Sequence, residues 1–439
     1  MTYHTSFVLC FISTTTPRTR SLISQPTVMS HTITTVRTIK PKKERGENKP
    51  AHWVDEKPSK FQNPWDSWHL YAPMERIWPY LVFNTFHPTY PNSEKVNLAM
   101  VKEPTWGFDK EGESQDKIKS TWLGHACFLI ELPCNPGEPR GARVLFDPVF
   151  SKRCSANQVV GPKRYTPAPC KIEEIPDIDA IIISHDHYDH MDIATLLSLF
   201  QRNPKPHVFA PLGNGPFFEK QIKAPPGHVH ILDWWESRRV EIPLSIDDPV
   251  AFQTRIRVLS FDVTCTPGQH FTGRTLTDGY QTLWSTWVLE SPPNTAVNVN
   301  EETASNDTSC TKREGVKVFF GGDTGYRSVP DGKDEDQMPT CPVFREIGEI
   351  FGGFDFAMLP IGAYLPRKVM SPIHCGPQDS VRIFLDLRAK KALGMHWGTW
   401  ILTTEDVDEP PRKLAEECKK IGIKNGDFGV CDIGETTFW

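Results

Sequence analysis

The stretch AIIISHDHYDHMD, residues 180–192, sets the strongest limit on what this chain can fold into. An aliphatic run typical of a buried strand ends there, and three histidines and two aspartates follow within six positions. The next segment, residues 191–202, has the apolar spacing of a helix. The polar cluster is therefore predicted to lie on a turn between a strand and a helix, at the sheet edge where ligands gather in α/β proteins.

The residue types of this turn predict metal binding, because imidazole and carboxylate groups are the ligands that borderline cations such as Zn²⁺ prefer. His185 and His187 are two residues apart in an extended turn and can point to the same side. Asp189 and His190, adjacent at the start of the helix, can face a second centre. One turn cannot complete two metal sites, so other strand ends must supply further ligands.

Three residues elsewhere are candidates for those ligands: His270, Asp323 and His396. Each follows a predicted strand, as the opening cluster does. The two glycines before Asp323 allow a close approach of the backbone. Each of the three alone is more simply read as a structural residue, but together they fill the missing positions of one site.

Apolar periodicity predicts the fold class. Strands dominate at first and then alternate with helices, and this succession occurs twice, which suits an α/β sandwich with helices outside two sheets. The predicted strands are 118–132, 143–150, 178–184, 207–211, 228–234, 254–267, 279–291, 316–322, 354–360 and 391–397. The predicted helices are 191–202, 342–351, 378–390 and 410–421.

Composition excludes several classes of protein. The net charge of −5 gives no sign of a nucleic-acid-binding protein. The 11 cysteines form no C-x-x-C pair, which argues against a disulfide framework and for a reducing compartment. The apolar run at 7–12 is too short to cross a bilayer, so integral membrane insertion is not expected.

The N-terminal segment differs in composition from the rest of the chain. The first 43 residues are basic and rich in Ser and Thr, with no acidic residue before Glu44. This pattern fits an organelle transit peptide, although a disordered tail, or translation from Met29, explains it equally well. We therefore expect an intracellular protein, cytoplasmic or, if the tail is a transit peptide, mitochondrial.

The chain divides into three predicted regions. Residues 1–60 are predicted to be a disordered or targeting-like tail and linker, and residues 61–116 an aromatic-rich arm packed on the main domain. An alternative for the arm is a patch seated at a lipid interface. Residues 117–439 form the predicted catalytic domain, with a disordered insertion at about 291–315.

These motifs resemble those of metallo-β-lactamase-fold hydrolases and, more narrowly, of the N-acyl-phosphatidylethanolamine-hydrolysing phospholipase D family. The resemblance covers most of the chain from about Phe61 to the C-terminus. It is carried by NPWDSW, TWLGHA, FDPVFSKR, GPKRY, SHDHYDH, LDWWE, TPGQH, GDTGY, PIGAYLPR and HWGTW. The fold implied is an αββα four-layer sandwich.

The resemblance also implies the roles of individual residues. It implies two zinc ions, the first held by His185, His187 and His270 and the second by Asp189, His190 and His396, with Asp323 bridging them. Tyr188 and His374 match positions that contact the substrate phosphate, and Asp189, Asp323 and His374 would be catalytic. Two features depart from the family pattern: Ile373 stands where we associate a polar residue with the family, and the 291–315 insertion has no counterpart.

The function implied is hydrolysis of N-acyl-phosphatidylethanolamine to N-acylethanolamine and phosphatidic acid at a membrane surface, by a peripheral protein that could be a homodimer. His187 favours zinc hydrolysis, because oxygen-reducing di-iron members of the superfamily have Glu there. Two alternatives remain open: a hydrolase of a soluble lactone or cyclic phosphodiester on the same fold, and a non-catalytic membrane-associated binding protein.

Overall fold

The computed structural model describes residues 33–69, 101–110, 114–134, 138–202, 205–248, 253–275, 277–293 and 314–439. These residues contain fifteen strands: β1 Thr35–Ile39, β2 Lys119–Gly124, β3 Cys127–Glu131, β4 Arg143–Phe146, β5 Ala180–Ile182, β6 His207–Pro211, β7 Val229–Leu232, β8 Ser237–Asp248, β9 Gln253–Thr266, β10 Thr286–Glu290, β11 Lys317–Phe320, β12 Phe356–Pro360, β13 Ala392–Met395, β14 Phe428–Gly429 and β15 Thr436–Phe438.

Five α-helices are numbered here: α1 Ile193–Phe200, α2 Val343–Phe351, the one-turn helix α3 Arg367–Met370, α4 Pro377–Asp386 and α5 Glu409–Ile421. Shorter helical turns lie at Phe108–Lys110, Ile172–Glu174, Gly215–Phe217, Phe218–Ile222 and Glu335–Gln337. Among the helices of the described segments, none combines the length and the apolar composition needed to cross a bilayer.

Two mixed sheets form the centre of the fold. The first has the order β1-β8-β9-β10-β11-β12-β13-β14, and the second has the order β15-β2-β3-β4-β5-β6-β7. In each sheet, antiparallel pairs on one side give way to parallel pairs, from β11 in the first and from β4 in the second. The carboxyl ends of the parallel strands thus gather at one edge of each sheet.

Side chains that alternate between the two faces of a strand explain how the fold divides into layers. In the second sheet, Trp122 and Phe128 belong to the main core, whereas Leu123 and Leu129 belong to a second apolar cluster that includes α1. Helices α4 and α5 pack against each other, α4 also packs on β12, and α5 on β14. The predicted αββα sandwich, with helices on the outer faces of two sheets, is confirmed.

Residues 33–60 differ from the disordered tail and linker predicted for them. Strand β1 pairs antiparallel with β8, with Thr35 opposite Glu241. Further along, the buried His52 ring stacks on Trp234 at 4.2 Å, and its Nε2 lies 2.7 Å from Asp233 Oδ1. Strand pairing and aromatic packing therefore order a segment whose polar composition predicted disorder. The first 32 residues lie outside the described part of the chain.

The predicted aromatic arm is described at its start, 61–69, and again at 101–110 and 114–116. Phe61 is buried in the main core, and Trp65 stacks on Trp234 with ring centroids 5.6 Å apart. Up to His69, then, the arm packs on the main domain. Residues 70–100 and 294–313, which hold the middle of the arm and most of the predicted insertion, lie outside the described residues.

Two strand predictions were wrong in extent, and one long strand was missed. The predicted strand 118–132 is two antiparallel strands, β2 and β3, joined by a turn that contains His125. Only Thr286–Glu290 of the predicted strand 279–291 is extended, because Tyr280 has a left-handed backbone (φ 65°) and Leu283 bonds to the loop carbonyl of Leu212. Strand β8 was not predicted. It pairs along its whole length with β9, which is a contact that local periodicity does not report.

Candidate metal centre

The predicted ligands lie on loops that leave the strand ends. His185 to His190 follow β5, and Asp192 closes this turn by capping α1, where its side chain accepts from the Ala194 N–H. His270 follows β9, Asp323 follows β11, and His396 directly follows β13. The structure brings all seven predicted ligands into one cluster, in which His187 and Asp189 are partly exposed and the other five are buried. Their role as ligands stays a prediction.

The first group of donors consists of His185, His187, His270 and Asp323, whose ligand atoms all lie within 4.8 Å of one another. His187 Nδ1 is 2.9 Å from His185 Nε2 and 3.4 Å from His270 Nε2. Asp323 Oδ2 is 3.7 Å from His185 Nε2 and 3.8 Å from His270 Nε2. Three imidazoles and one carboxylate thus converge on one point.

The second group of donors contains Asp189, His190 and His396, and its imidazoles also contact the Asp323 carboxylate. Nε2 of His190 is 3.1 Å from Asp323 Oδ2, and Nε2 of His396 is 3.0 Å from Asp323 Oδ1. Both imidazole nitrogens are 3.5 Å from Asp189 Oδ2. Asp323 is therefore the one predicted ligand that faces both groups, as expected of a residue between two cations.

The unsatisfied polar atoms of the donor set indicate that it fits metal ions. Nε2 of His190, Nε2 of His396 and Oδ1 of Asp323 are buried, and despite their short separations none of them makes a well-aligned hydrogen bond within the described residues. Leaving buried polar atoms unpaired costs about 1–3 kcal/mol each. Several such atoms aimed at one point are explained by cations that bind nitrogen and oxygen donors.

Hydrogen bonds behind the imidazoles fix their orientation. Asp147 accepts from Ser184 Oγ at 2.6 Å and lies 2.7 Å from His190 Nδ1, while Ser184 Oγ lies 2.9 Å from His185 Nδ1. His270 Nδ1 donates to the Ile373 carbonyl at 2.8 Å. Where Nδ1 carries the proton, each of these rings has an unprotonated Nε2 to offer a cation, which is the arrangement that supports metal ligands.

The electrostatics of the cluster keep its carboxylates charged. Burial opposes ionisation of Asp323, but the charges of His190 and His396 hold its pKa well below the usual value. Burial is the largest single influence on the pKa of His396 and lowers it, but the Asp323 charge and the contact with Asp189 together raise that pKa to about 9. Burial and the neighbouring His190 hold the pKa of His185 well below its usual value. The carboxylates are thus in the anionic state that a cation requires, whereas His396 would have to release its proton on binding one.

His125 is a site residue that the sequence analysis missed. Its Nε2 lies 2.9 Å from Asp189 Oδ2, and it shares the second donor group with Asp189, His190 and His396. It lies in the turn between β2 and β3 with a left-handed backbone (φ 52°). No sequence signal indicated it, because position 125 lay inside the predicted strand 118–132, and only the structure shows that the chain turns there.

Asp147 is the second missed residue. It follows β4 directly, within FDPVF, and is fully buried behind His190. Burial raises its pKa, against the hydrogen bond and charge of His190, which lower it. An aspartate directly after a buried strand is the same signal that singled out Asp323.

A cleft of about 440 Å³ opens over the two groups. The donors His187, Asp189 and Asp323 form its floor, while most of its walls are apolar. Its full lining is Cys154, His187, Tyr188, Asp189, Phe271, Asp323, Ala363, Val369, Met370, Ile373, His374, Leu402 and Thr403. Ile373, the departure from the family pattern, therefore contributes an apolar wall as well as the carbonyl that orients His270.

The two predicted phosphate contacts both line this cleft. The Tyr188 hydroxyl donates to the Arg274 carbonyl at 3.2 Å, and the Arg274 guanidinium covers the Tyr188 ring at 3.9 Å. Donation from Tyr188 to a substrate would require this bond to break. His374 Nδ1 lies 3.9 Å from Asp323 Oδ2 and forms a third donor group with Asp323 and His396, so metal contact is open to it as well.

Comparison with known proteins agrees with the fold. The model of the Beta-lactamase superfamily domain matches residues 142–298 and 308–397. N-acyl-phosphatidylethanolamine-hydrolyzing phospholipase D 1 of Caenorhabditis elegans is 31% identical over 381 residues, which are 85% of this chain and 91% of that protein.

Two further relatives extend the comparison. The mitochondrial N-acyl-phosphatidylethanolamine-hydrolyzing phospholipase D of Saccharomyces cerevisiae is 31% identical over 337 residues, 76% of this chain and 58% of that protein. A metal-dependent hydrolase of Sulfurisphaera tokodaii is 24% identical over 304 residues, 69% of this chain and 92% of that protein. This chain therefore belongs to the beta-lactamase superfamily of metal-dependent hydrolases and, within it, to the N-acyl-phosphatidylethanolamine-hydrolyzing phospholipase D family.

Proposed function

We propose that the protein is a di-zinc phosphodiesterase of the phospholipase D type, which hydrolyses N-acyl-phosphatidylethanolamine to N-acylethanolamine and phosphatidic acid. The observation that carries the proposal is the meeting of two donor groups on Asp323 at the floor of an apolar-walled cleft. The names of the Caenorhabditis and Saccharomyces relatives support the choice of substrate.

In this proposal His185, His187 and His270 hold one zinc ion, Asp189, His190 and His396 hold the other, and Asp323 bridges them. Two such ions would activate a water molecule near neutral pH and neutralise charge on the phosphate oxygens. The nitrogen-rich donor set favours zinc over magnesium or calcium, which prefer oxygen ligands.

The residues around the donors would orient the substrate. His374 is buried at the cleft wall with no partner for Nδ1 among the described residues, so its ring can bind a phosphate oxygen. The Tyr188 hydroxyl could donate a hydrogen bond to the same phosphate oxygen once its bond to the Arg274 carbonyl is broken. Val369, Met370 and Leu402 line the cleft with apolar groups suited to the lipid part of the substrate.

A lipid substrate requires the protein to work at a membrane surface, and we propose peripheral association for it. The Saccharomyces relative is named as mitochondrial. Together with the basic segment before Glu44, this name supports a mitochondrial location. A fluorescent fusion of the full chain, compared with one that starts at Met29, tests the location: loss of a mitochondrial signal in the shorter chain supports targeting by the segment.

The decisive experiment incubates the zinc-loaded protein with vesicles that contain N-acyl-phosphatidylethanolamine in H₂¹⁸O. Attack of water on phosphorus places the label in phosphatidic acid and leaves the N-acylethanolamine unlabelled. A soluble lactone and a cyclic phosphodiester are tested in parallel. Turnover of a soluble substrate without phosphatidic acid would overturn the proposal, and absence of any turnover would favour a binding protein.

A further inference from the structure

Residues 151–165 form a hairpin beside the cleft, named here the cleft hairpin. Its base is fixed to the main domain: Asp192 accepts from both the N–H and the hydroxyl of Ser151, at 3.0 and 2.9 Å. Across the hairpin, Arg164 N–H donates to the Lys152 carbonyl at 2.8 Å. Cys154 lines the cleft itself, so the hairpin adjoins the cleft opening.

The tip of the cleft hairpin presents two aliphatic side chains to solvent. Val159 is 80% exposed and Val160 is 67% exposed, and Val159 is the most exposed large apolar residue of the described segments. The turn is held in shape, because Asn157 Oδ1 accepts from the N–H of both valines at 2.9 Å. An ordered turn that exposes adjacent apolar side chains is typical of a contact site.

The cleft hairpin is also strongly basic. Residues 151–165 hold four cations and no Asp or Glu, in a chain whose net charge is −5. Arg153 and Arg164 donate to backbone carbonyls of the hairpin and its base. Lys152 and Lys163 are exposed, and within the described part of the chain neither forms an ion pair. Two free ammonium groups therefore flank an apolar tip.

We propose that the cleft hairpin docks the protein on an anionic phospholipid bilayer, with Val159 and Val160 in the lipid interface and Lys152 and Lys163 on lipid phosphates. In a bilayer the apolar acyl chains lie beneath the anionic headgroups. A hairpin with apolar side chains at its tip and cations behind them can therefore place each group in the layer that suits it. A nucleic acid would use the cations but not the valines. The proposal rests on the proposed function only in assuming a lipid substrate, and it places the cleft opening against the membrane.

The test is sedimentation of the zinc-loaded full chain with vesicles of phosphatidylcholine, with and without 30% phosphatidylserine. The expected result is stronger binding to the anionic vesicles. V159S/V160S should weaken binding by roughly tenfold or more. K152Q/K163Q should weaken it by roughly 30-fold on anionic vesicles, and little on neutral ones.

Matched controls alter exposed residues of the same types elsewhere. I256S/V258S changes an exposed apolar pair on β9, and K220Q/K223Q changes two exposed lysines. Both controls should bind like the unaltered protein. Unchanged binding of V159S/V160S and K152Q/K163Q, or an equal loss in the controls, would overturn the proposal.

Activity assays separate this proposal from the proposed function. With a short-chain substrate that is soluble as a monomer, the hairpin variants should keep their kcat/KM, while hydrolysis in vesicles falls with binding. If neither the unaltered protein nor any variant hydrolyses a phospholipid, the proposed function fails. The sedimentation experiment still shows whether the cleft hairpin binds the bilayer, because it does not depend on activity.

Discussion

His125 Nε2 lies 2.9 Å from Asp189 Oδ2, and the backbone carbonyl of His125 accepts from the His396 N–H at 3.0 Å. One turn between two strands thus contacts two residues of the second donor group. The turn is itself fixed, because the His125 N–H donates to Thr399 Oγ1 at 2.8 Å. This arrangement makes His125 a positioning residue for Asp189 and His396, or an additional ligand.

We predict that H125A lowers zinc affinity at the second donor group by roughly 10–100-fold, because Asp189 loses the partner that orients it. Zinc titration followed by calorimetry measures the effect, and kcat should fall in parallel. The control is H207A, which alters another buried histidine that belongs to none of the donor groups. Retention of two zinc ions at unaltered affinity would refute the positioning role.

Asp323 gives the second prediction. D323N should lower kcat by more than roughly 100-fold, since the neutral amide cannot hold two cations among the five imidazoles predicted as ligands. Metal content measured on the purified protein should fall below two per chain. D331N, at an exposed aspartate, is the control and should retain both activity and metal. Full activity in D323N would rule out the bridging role.

Gly322 gives the third prediction. It has φ +52°, and a Cβ there would lie 2.6 Å from the Ser184 Cβ. Because overpacking typically costs about 1–3 kcal/mol, G322A should lower the free energy of unfolding by that amount and displace the adjacent Asp323. Urea unfolding and kcat measure the two effects.

Gly332 offers a matched control, since it also has a positive φ (+70°) but a Cβ added there would meet no heavy atom of the described residues within 4 Å. G332A should show only the cost of the left-handed backbone, so its loss of stability should be smaller than that of G322A. Equal losses in the two variants would show that Ser184 does not restrict position 322.

The fourth prediction concerns acid stability. The His207 and His230 rings stack at 5.2 Å, and His228 stacks on His207 at 4.4 Å. Burial, with the neighbouring His228, lowers the pKa of His207 to about 4, and burial with His207 and Arg238 lowers that of His230 to about 3. These two rings are therefore neutral at pH 7.

Because the pKa values of both rings are lower in the folded than in the unfolded chain, the unfolded state binds more protons below pH 6.5. The stability that the neutral rings contribute is complete above about pH 6.5 and is lost progressively as the pH falls towards about 4. H207Q/H230Q should therefore lose less stability than the unaltered protein between about pH 7 and pH 5, as measured by urea unfolding. An identical loss in both would contradict the prediction.

The strand ends were predictable because each carries its own local signal. A buried apolar run followed by His or Asp marked the loops of His185 to His190, Asp323 and His396, and the structure brings them together. The layers were predictable for the same reason. Alternate apolar side chains of β2 and β3 point to opposite faces of the sheet and pack in two different cores.

Other features depended on contacts that are distant in sequence. Strand β1 exists because β8 lies beside it, and β8 begins only at Ser237. His125 is placed by Asp189 and Thr399, which no local pattern connects to it. The hydrogen bond of the Tyr188 hydroxyl could not be predicted from the sequence either, because its acceptor is the backbone carbonyl of Arg274 on another loop.

Strand β1 has a practical consequence for anyone who shortens this protein. A chain started at Phe61, where the sequence first suggests a folded domain, would lack β1 and leave the outer edge of β8 without its partner. Unpaired strand edges recruit other chains, so such a truncation would favour self-association even with its catalytic residues intact. A shortened chain that begins before Thr35 keeps β1 paired with the edge of β8.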